Sequence, residues 1–188
     1  MMDTIVNLDI AITLYINGLN STSADYLMYY VSNKYIWIPL YLVILYLIKK
    51  KTGNQFWLVF SAFILLIGIT DQVCTHLFKE TFQRLRPCHT PEIKNIIHTF
   101  NGHCGGKYGF VSAHAANSFA FAIFAGNFLK SKTIAGVLLI WAITVAYSRV
   151  YLGVHFFGDI FVGALVGIII ALLINTSYLF LIKYFYKI

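Results

Sequence analysis

The sequence predicts an all-α membrane protein, a polytopic bundle of about five transmembrane helices with an N-terminal helix lying in the membrane interface. Three observations carry that prediction. Hydrophobic residues make up 59% of the 188 residues and charged residues only 11%, well away from the near-half apolar and quarter charged usage of soluble domains. Mean hydropathy is +0.74, so a soluble core of this size would need more polar surface than the chain can supply. The apolar residues also fall into stretches long enough to cross a bilayer, with basic residues clustered at their ends.

The elements follow in order. Residues 4–20 place Ile5, Leu8, Ile12, Tyr15 and Ile16 at roughly helical spacing; the segment is too polar to span and reads as an interfacial helix. The first span has its core at Tyr35–Ile48. Fourteen residues reach only about 21 Å, short of a bilayer core near 30 Å. The span is therefore extended back towards Leu27, with Pro39 tolerated inside a packed helix and Lys49, Lys50 and Lys51 ending it. A second span covers about Phe56–Phe78 and a third about Phe110–Leu129, followed by Lys130 and Lys132. A fourth covers about Thr133–Ser148 and a fifth about Phe156–Ile182, with Lys183 and Lys187 beyond it. Repeats, low-complexity stretches and soluble linkers are absent from the sequence, so residues 1–188 read as one membrane domain. Met1–Asp9 carries Asp3 and Asp9 but no Lys or Arg, so it lacks the basic region of a cleavable signal peptide.

Five spans put the loops on two sides. One side holds Lys49–Lys51, Lys130, Lys132, Lys183 and Lys187; the other holds Lys34, Lys79, Arg84, Arg86, Lys94, Lys107 and Arg149. The counts tie at seven each. Lys79, Arg86 and Arg149 have a chemical use proposed below, and removing them leaves the first side more basic. Short basic loops mark the cytoplasm, which puts the second side at the periplasm or exterior. The formal net charge of +7 is thus explained by membrane-surface clusters and motif residues, and nucleic acid is not an expected partner.

Three short segments fall at that second membrane face: Lys79-x6-Arg86-Pro87, Ser112-Ala113-His114, and Ser148-Arg149-x5-His155-x3-Asp159. Together they supply three fixed cations, two histidines, a hydroxyl and a carboxylate. Alone, His114 reads as a structural residue, and Lys79 or Arg149 as an interface anchor. Converging on one face, they read as a phosphate site.

In these residues and spacings the chain resembles the type 2 phosphatidic acid phosphatase family, which shares its site with vanadium haloperoxidases. The resemblance covers about residues 56–170. The chain departs from the family's usual Pro-Ser-Gly-His at Val111-Ser112-Ala113-His114; Ala113, the smallest replacement for Gly, stands in the backbone part of the phosphate cradle. The following Ala115-Ala116-Asn117-Ser118 looks like short bacterial members that include lipid A phosphatases.

The resemblance implies a membrane lipid phosphatase that uses no metal or other cofactor, at the outer face of a bacterial inner membrane. Its substrate would be a lipid monophosphate or diphosphate of the undecaprenyl diphosphate, lipid A, phosphatidylglycerol phosphate or phosphatidic acid class. His155 would attack phosphorus and form a phosphohistidine. Asp159, four residues on and on the same helical face, would fix the imidazole tautomer. His114 would protonate the leaving group. Lys79, Arg86 and Arg149 would hold the phosphoryl oxygens, and Ser112 with nearby backbone N–H groups would add donors at a helix start. Two rival functions are a phosphotransferase acting on an acceptor other than water, and an anion or lipid transporter with a retained phosphate site. The histidine pair argues against transport, which needs no nucleophile.

Other residues carry weaker signals. Asp71, Thr75 and Lys79 share a face at helical spacing, so Asp71 is expected to support Lys79 structurally. The 88–109 loop holds Cys88, His89, His98, His103 and Cys104, whose spacing matches no regular zinc pattern. A disulfide between Cys88 and Cys104 would close a loop and brace Arg86 against the third span; free thiols are the alternative. Cys74 reads as a small core residue. Arg84 and Lys107 flank the motifs, either attracting an anionic headgroup or simply solvated.

Overall fold

The computed structural model describes residues 2–186, and Lys187 lies outside them. The chain folds into helices α1 (Met2–Asn17), α2 (Thr22–Ser32), α3 (Ile38–Thr52) and α4 (Phe56–Gln72). A π-helical turn, Val73–Lys79, and the short α5 (Glu80–Phe82) continue α4. After an irregular loop come α6 (Ala113–Leu129), α7 (Lys132–Tyr151) and α8 (Phe157–Tyr186). The described residues form no sheet; one antiparallel bridge joins Leu85 to Tyr108.

Helix α6 is the central post, packed mainly on α8 and α7 and then on α4. Its buried face is rich in alanine, with Ala115, Ala116, Ala120, Ala122 and Ala125 all buried. Small side chains let neighbouring helices come close, which is how helices associate when lipid removes the hydrophobic drive between them. Helix α8 answers with Gly163 and Gly167. A Cβ on Gly163 would lie 2.7 Å from the Ser112 carbonyl oxygen, and one on Gly167 would lie 2.1 Å from that of Ala116. Larger residues there would push α8 off the start of α6. Lower in the bundle, Phe63 packs on Phe121 and Phe124 with ring centres 5.4 and 4.6 Å away.

Three continuous stretches are long and apolar enough to cross a membrane: 34–82, Lys132–Tyr151 and Phe157–Tyr184. The first contains both α3 and α4, which fold back at Gly53 (φ +54°). Tyr41 before the bend and Phe63 after it both reach Phe121, at 5.0 and 5.4 Å. The outer faces are apolar: Trp57, Ile64, Ile140, Leu173 and Phe180 are all more than half exposed, as lipid-facing side chains should be. Lys51 Nζ donates to the Leu129 carbonyl, which brings the basic ends of α3 and α6 together, away from the motif residues.

One expectation changes, and one orientation is new. The first span does not run back to Leu27 as one helix. The chain breaks at Asn33, whose side chain accepts from Tyr35 N at 3.0 Å, and Pro39 occupies the first turn of α3, where its missing N–H costs nothing. Helix α1 also turns its polar stripe inward. Asp9, Thr13 and Asn17 meet the rest of the protein, while Ile5, Leu8 and Tyr15 are exposed. This inverts the usual soluble pattern and is the arrangement an interfacial helix would need, with its apolar face to lipid.

Candidate active site

The site forms where the start of α6, the α7–α8 turn and the loop after α5 meet. Leu85 pairs with Tyr108, Arg86 N donates to Lys107 O at 3.1 Å, and Gly109 N donates to Arg84 O at 2.8 Å. In this extended segment alternate side chains share a face, so Arg84 and Arg86 point the same way. Gly109 then lies against the site: a Cβ there would fall 2.9 Å from Asp159 Oδ2 and 3.5 Å from His155 Nδ1. Only glycine leaves room for both groups.

His155 is 1% exposed and Asp159 0%. The imidazole Nδ1–H donates to Asp159 Oδ2 at 3.3 Å, and Phe156 N donates to the same oxygen at 3.1 Å. This leaves Nε2 as the ring's lone-pair nitrogen, 3.0 Å from Arg86 Nη1, which donates to it. Burial is the first cause that holds the His155 imidazole well below its ordinary value of 6.5, reinforced by the charges of Arg86, Arg149 and Lys79. Both effects favour the neutral ring, the form in which an imidazole can attack phosphorus.

The cations close around it. Arg86 is 8% exposed, is anchored by a 2.8 Å bond from Nη1 to Val154 O, and is drawn below its usual value by burial. Arg149 donates through Nη1 to Ser32 Oγ. Lys79 ends the π-turn, half-buried, within the field of Arg86 and Arg149. The same charges, with His155, reach His114 in the first turn of α6. The buried Nε atoms of Arg86 and Arg149 have no acceptor among the described residues. A buried donor without a partner carries a free-energy penalty that an anion would remove.

Ser112 is fully buried. Its Oγ caps α6 towards Ala115 N at 3.5 Å, and its N–H donates to Asp159 O at 3.0 Å. It ties α6 to α8 at the site, and Ala113 opens the helix beside it. No ion pair joins Asp71 to Lys79 among the described residues, although the Asp71 charge acts on Lys79; the π-turn between them displaces the simple helical register. Cys88 and Cys104 are joined as a disulfide, Cα–Cα 6.1 Å. Those two sulfurs and His89 lie close together, but the bond takes both sulfurs out of any metal-ligand set.

Four participants have no counterpart in the sequence motifs: Gly109, Arg84, Asp9 and Ser32. Arg84 was legible only as a flanking charge. In the structure its Nη1 donates to Asp159 Oδ1 at 2.8 Å and its Nη2 to Asp9 Oδ2 at 2.6 Å, and the guanidinium lies 4.1 Å over the Phe156 ring. The extended geometry that pairs Arg84 with Arg86 was the available signal.

Known proteins agree with this architecture. The family model described as PAP2 superfamily matches residues 55–183. The chain is 36% identical over 173 residues to a lipid A 4'-phosphatase of Bacteroides thetaiotaomicron, covering 89% of this chain and 75% of that one. It is 33% identical over 182 residues to a lipid A 4'-phosphatase of Porphyromonas gingivalis, covering 95% and 76%. The crystal structure of a transmembrane PAP2-type phosphatidylglycerolphosphate phosphatase from Bacillus subtilis superposes with a TM-score of 0.71 at 21% identity, over 93% of this chain and 86% of that one; it shares the fold. With the family match spanning most of the chain and all three motifs inside it, this protein belongs to the PAP2 superfamily and is a membrane phosphatase.

Proposed function

We propose that the protein hydrolyses the phosphate ester of a membrane lipid through a phosphohistidine on His155, without a metal ion. The observation that carries this reading is the buried His155, backed by Asp159 and set beside Arg86 and Arg149, whose Nε donors find no acceptor among the described residues. The named activity of the two relatives, lipid A 4'-phosphatase, supports a lipid phosphate as substrate.

The phosphoryl group takes its hydrogen bonds from Arg86, Arg149 and Lys79. His155 Nε2 attacks phosphorus, and the bond from phosphorus to the lipid oxygen breaks. His114, protonated once the phosphoryl anion offsets the surrounding cations, gives that oxygen its proton. Asp159 stabilises the positive charge that develops on the His155 ring, in the way a triad carboxylate supports its histidine. Water then attacks phosphorus, His114 takes the water proton, and the P–N bond breaks to release phosphate. The fixed cations concentrate charge where the transition state needs it, which is the largest catalytic contribution in such sites. Phosphorylated lipids approach from the bilayer, and a five-crossing bundle of α3, α4, α6, α7 and α8 would place the site at the periplasmic or outer face.

The test is phosphate release from a panel of lipid phosphates by the detergent-purified protein with EDTA present, beside His155→Ala. Release by the parent alone supports the proposal. Equal release by both proteins removes His155 as nucleophile, and no release from any lipid removes the lipid phosphatase reading.

A further inference from the structure

A phosphatase that works through a phosphohistidine uses one face of phosphorus twice. His155 Nε2 attacks opposite the lipid oxygen, and water then attacks opposite Nε2, at the position the lipid oxygen has left. That position lies beside His114. The lipid alcohol must clear it before water arrives, and inorganic phosphate leaves last. With a single passage, water and phosphate would have to pass through the lipid's own binding groove.

Two cavities meet at His114. The larger, about 760 Å³, lies between α3, α4, α6 and α7 and is walled largely by apolar side chains such as Trp37, Leu45 and Phe63. Ile64, on the outer side of α4 and 61% exposed, also lines it, so this groove opens towards lipid. The smaller, about 270 Å³, extends from His114 and Arg149 to the end of α2 and to the loop that carries Phe100 and His103. Ser32, Lys34 and His114 line both.

The walls suit different species. The groove carries Asp71, whose charge opposes a phosphate dianion, and its apolar sides give such an ion no hydrogen bonds. Among the described residues that line the smaller chamber, none is acidic. Arg149 stands at its inner end, and Lys34 and His103 are exposed at its mouth. The Lys34 ammonium lies 5.3 Å over the Tyr35 ring at that mouth. A cleft lined by charge of one sign draws the opposite ion along it. At about 30 Å³ per water, the chamber has room for several waters. The disulfide at Cys104 ties the wall next to His103 back to Cys88.

We infer that the smaller chamber is the aqueous port of the site: water enters and inorganic phosphate leaves through it, past Lys34 and His103, while the lipid uses the groove. This rests on the proposed phosphohistidine mechanism and extends it. In the second step the water oxygen bonds to phosphorus and its proton passes to His114. The P–N bond breaks, and its electron pair returns to His155 Nε2.

The reverse of that step gives a test without lipid. Inorganic phosphate at millimolar concentration, in water labelled with oxygen-18, should form the phosphohistidine with loss of unlabelled water and return as labelled phosphate, with His155→Ala as the blank. His103→Trp adds bulk at the chamber mouth, away from the groove. Gly68→Phe adds bulk in the groove, where a Cβ on Gly68 would meet nothing within 4 Å. His103→Trp should slow the exchange about tenfold and lower kcat for the lipid phosphate the parent hydrolyses best. Its kcat/KM, which ends at departure of the lipid alcohol, should stay near the parent value. Gly68→Phe should lower kcat/KM for the lipid and leave the exchange unchanged. His103→Glu, too small to block the mouth, should slow exchange several-fold at low salt and less at high salt. Exchange slowed as much by Gly68→Phe as by His103→Trp, or by neither His103 variant, overturns the port and leaves the phosphatase reading intact. A parent that releases phosphate from lipid but exchanges no oxygen overturns the phosphohistidine and the port together.

Discussion

Arg84 joins Asp159 to Asp9, donating 2.8 Å to the first carboxylate and 2.6 Å to the second. Asp9 in turn accepts from Gly158 N at 2.7 Å through its other oxygen, so the three side chains and the start of α8 form a closed ring. Asp159 is wholly buried, and a buried carboxylate is costly unless it is paired and hydrogen-bonded. Arg84 supplies the pair, while Asp9 balances Arg84 and leaves the charge of Asp159 available to His155. Thr13 completes the same junction by accepting from Phe157 N at 3.0 Å, without touching Arg84.

That difference separates positioning from packing. Asp9→Asn keeps an acceptor for Gly158 N but leaves Arg84 with Asp159 alone. It should lower kcat about tenfold, the scale seen when a partner of a site residue is removed, with KM little changed. Thr13→Val should lower the melting temperature and leave kcat near the parent value. Equal kcat losses in the two variants would mean that α1 merely holds α8 in place.

The two histidines should divide the reaction. His155→Ala should abolish turnover and also abolish acid-labile phosphate labelling of the protein. His114→Ala should slow turnover by about 10²–10⁴-fold, the usual contribution of a general acid, while still accepting label from a substrate with a good leaving group such as p-nitrophenyl phosphate. Labelled His155→Ala protein would exclude the phosphohistidine.

Orthovanadate, with the geometry of the phosphoryl transition state, should inhibit by occupying the Arg86, Arg149 and Lys79 cradle, while millimolar EDTA should leave activity unchanged. Activity lost to EDTA and restored by a divalent ion would mean that a metal supplies charge now assigned to these side chains.

Stability should fall with acidification. In the unfolded chain His155 titrates near 6.5; in the folded protein burial holds it well below that. Below the unfolded value the unfolded state binds more protons, so stability is full above pH 6.5 and declines as pH drops through it and beyond. Melting temperatures from pH 8 to 5 should show that decline, with a shallower slope in His155→Ala. An unchanged slope would assign the acid sensitivity to other groups.

Removing the disulfide through Cys88→Ser should cost about 3 kcal/mol of stability, as expected for a closed loop of this length, where the cysteines are 16 residues apart. The same loss should appear on mild reduction of the parent protein, measured by thermal melting in detergent.

The convergence of the motif residues was legible because they recur at fixed local spacing. His155 and Asp159 lie one helical turn apart, and Lys79, Arg86 and Pro87 fall within one segment. What was not legible depends on distant pairing. Asp9 reaches Gly158 across 149 residues, and Asn17 reaches Tyr151 O across 134. No local pattern announces such contacts. The inward polar stripe of α1 was hidden for a further reason: amphipathic spacing gives the two faces of a helix, whereas the surroundings decide which face turns inward. The first span was overextended because hydropathy does not register the break that Asn33 imposes through its bond to Tyr35 N.

The capping of α8 by α1 also sets an order of events during synthesis. At roughly 5–20 residues per second, Gly158 is made some 7–30 s after Asp9, its partner 149 residues earlier. During that interval Arg84 and His98 already become available to Asp9 and Asn17, while the partners on α8 are still missing. The carboxylate cage closes only when the last helix arrives, so on the proposed mechanism a nascent chain bearing the first two motifs would lack the group that attacks phosphorus.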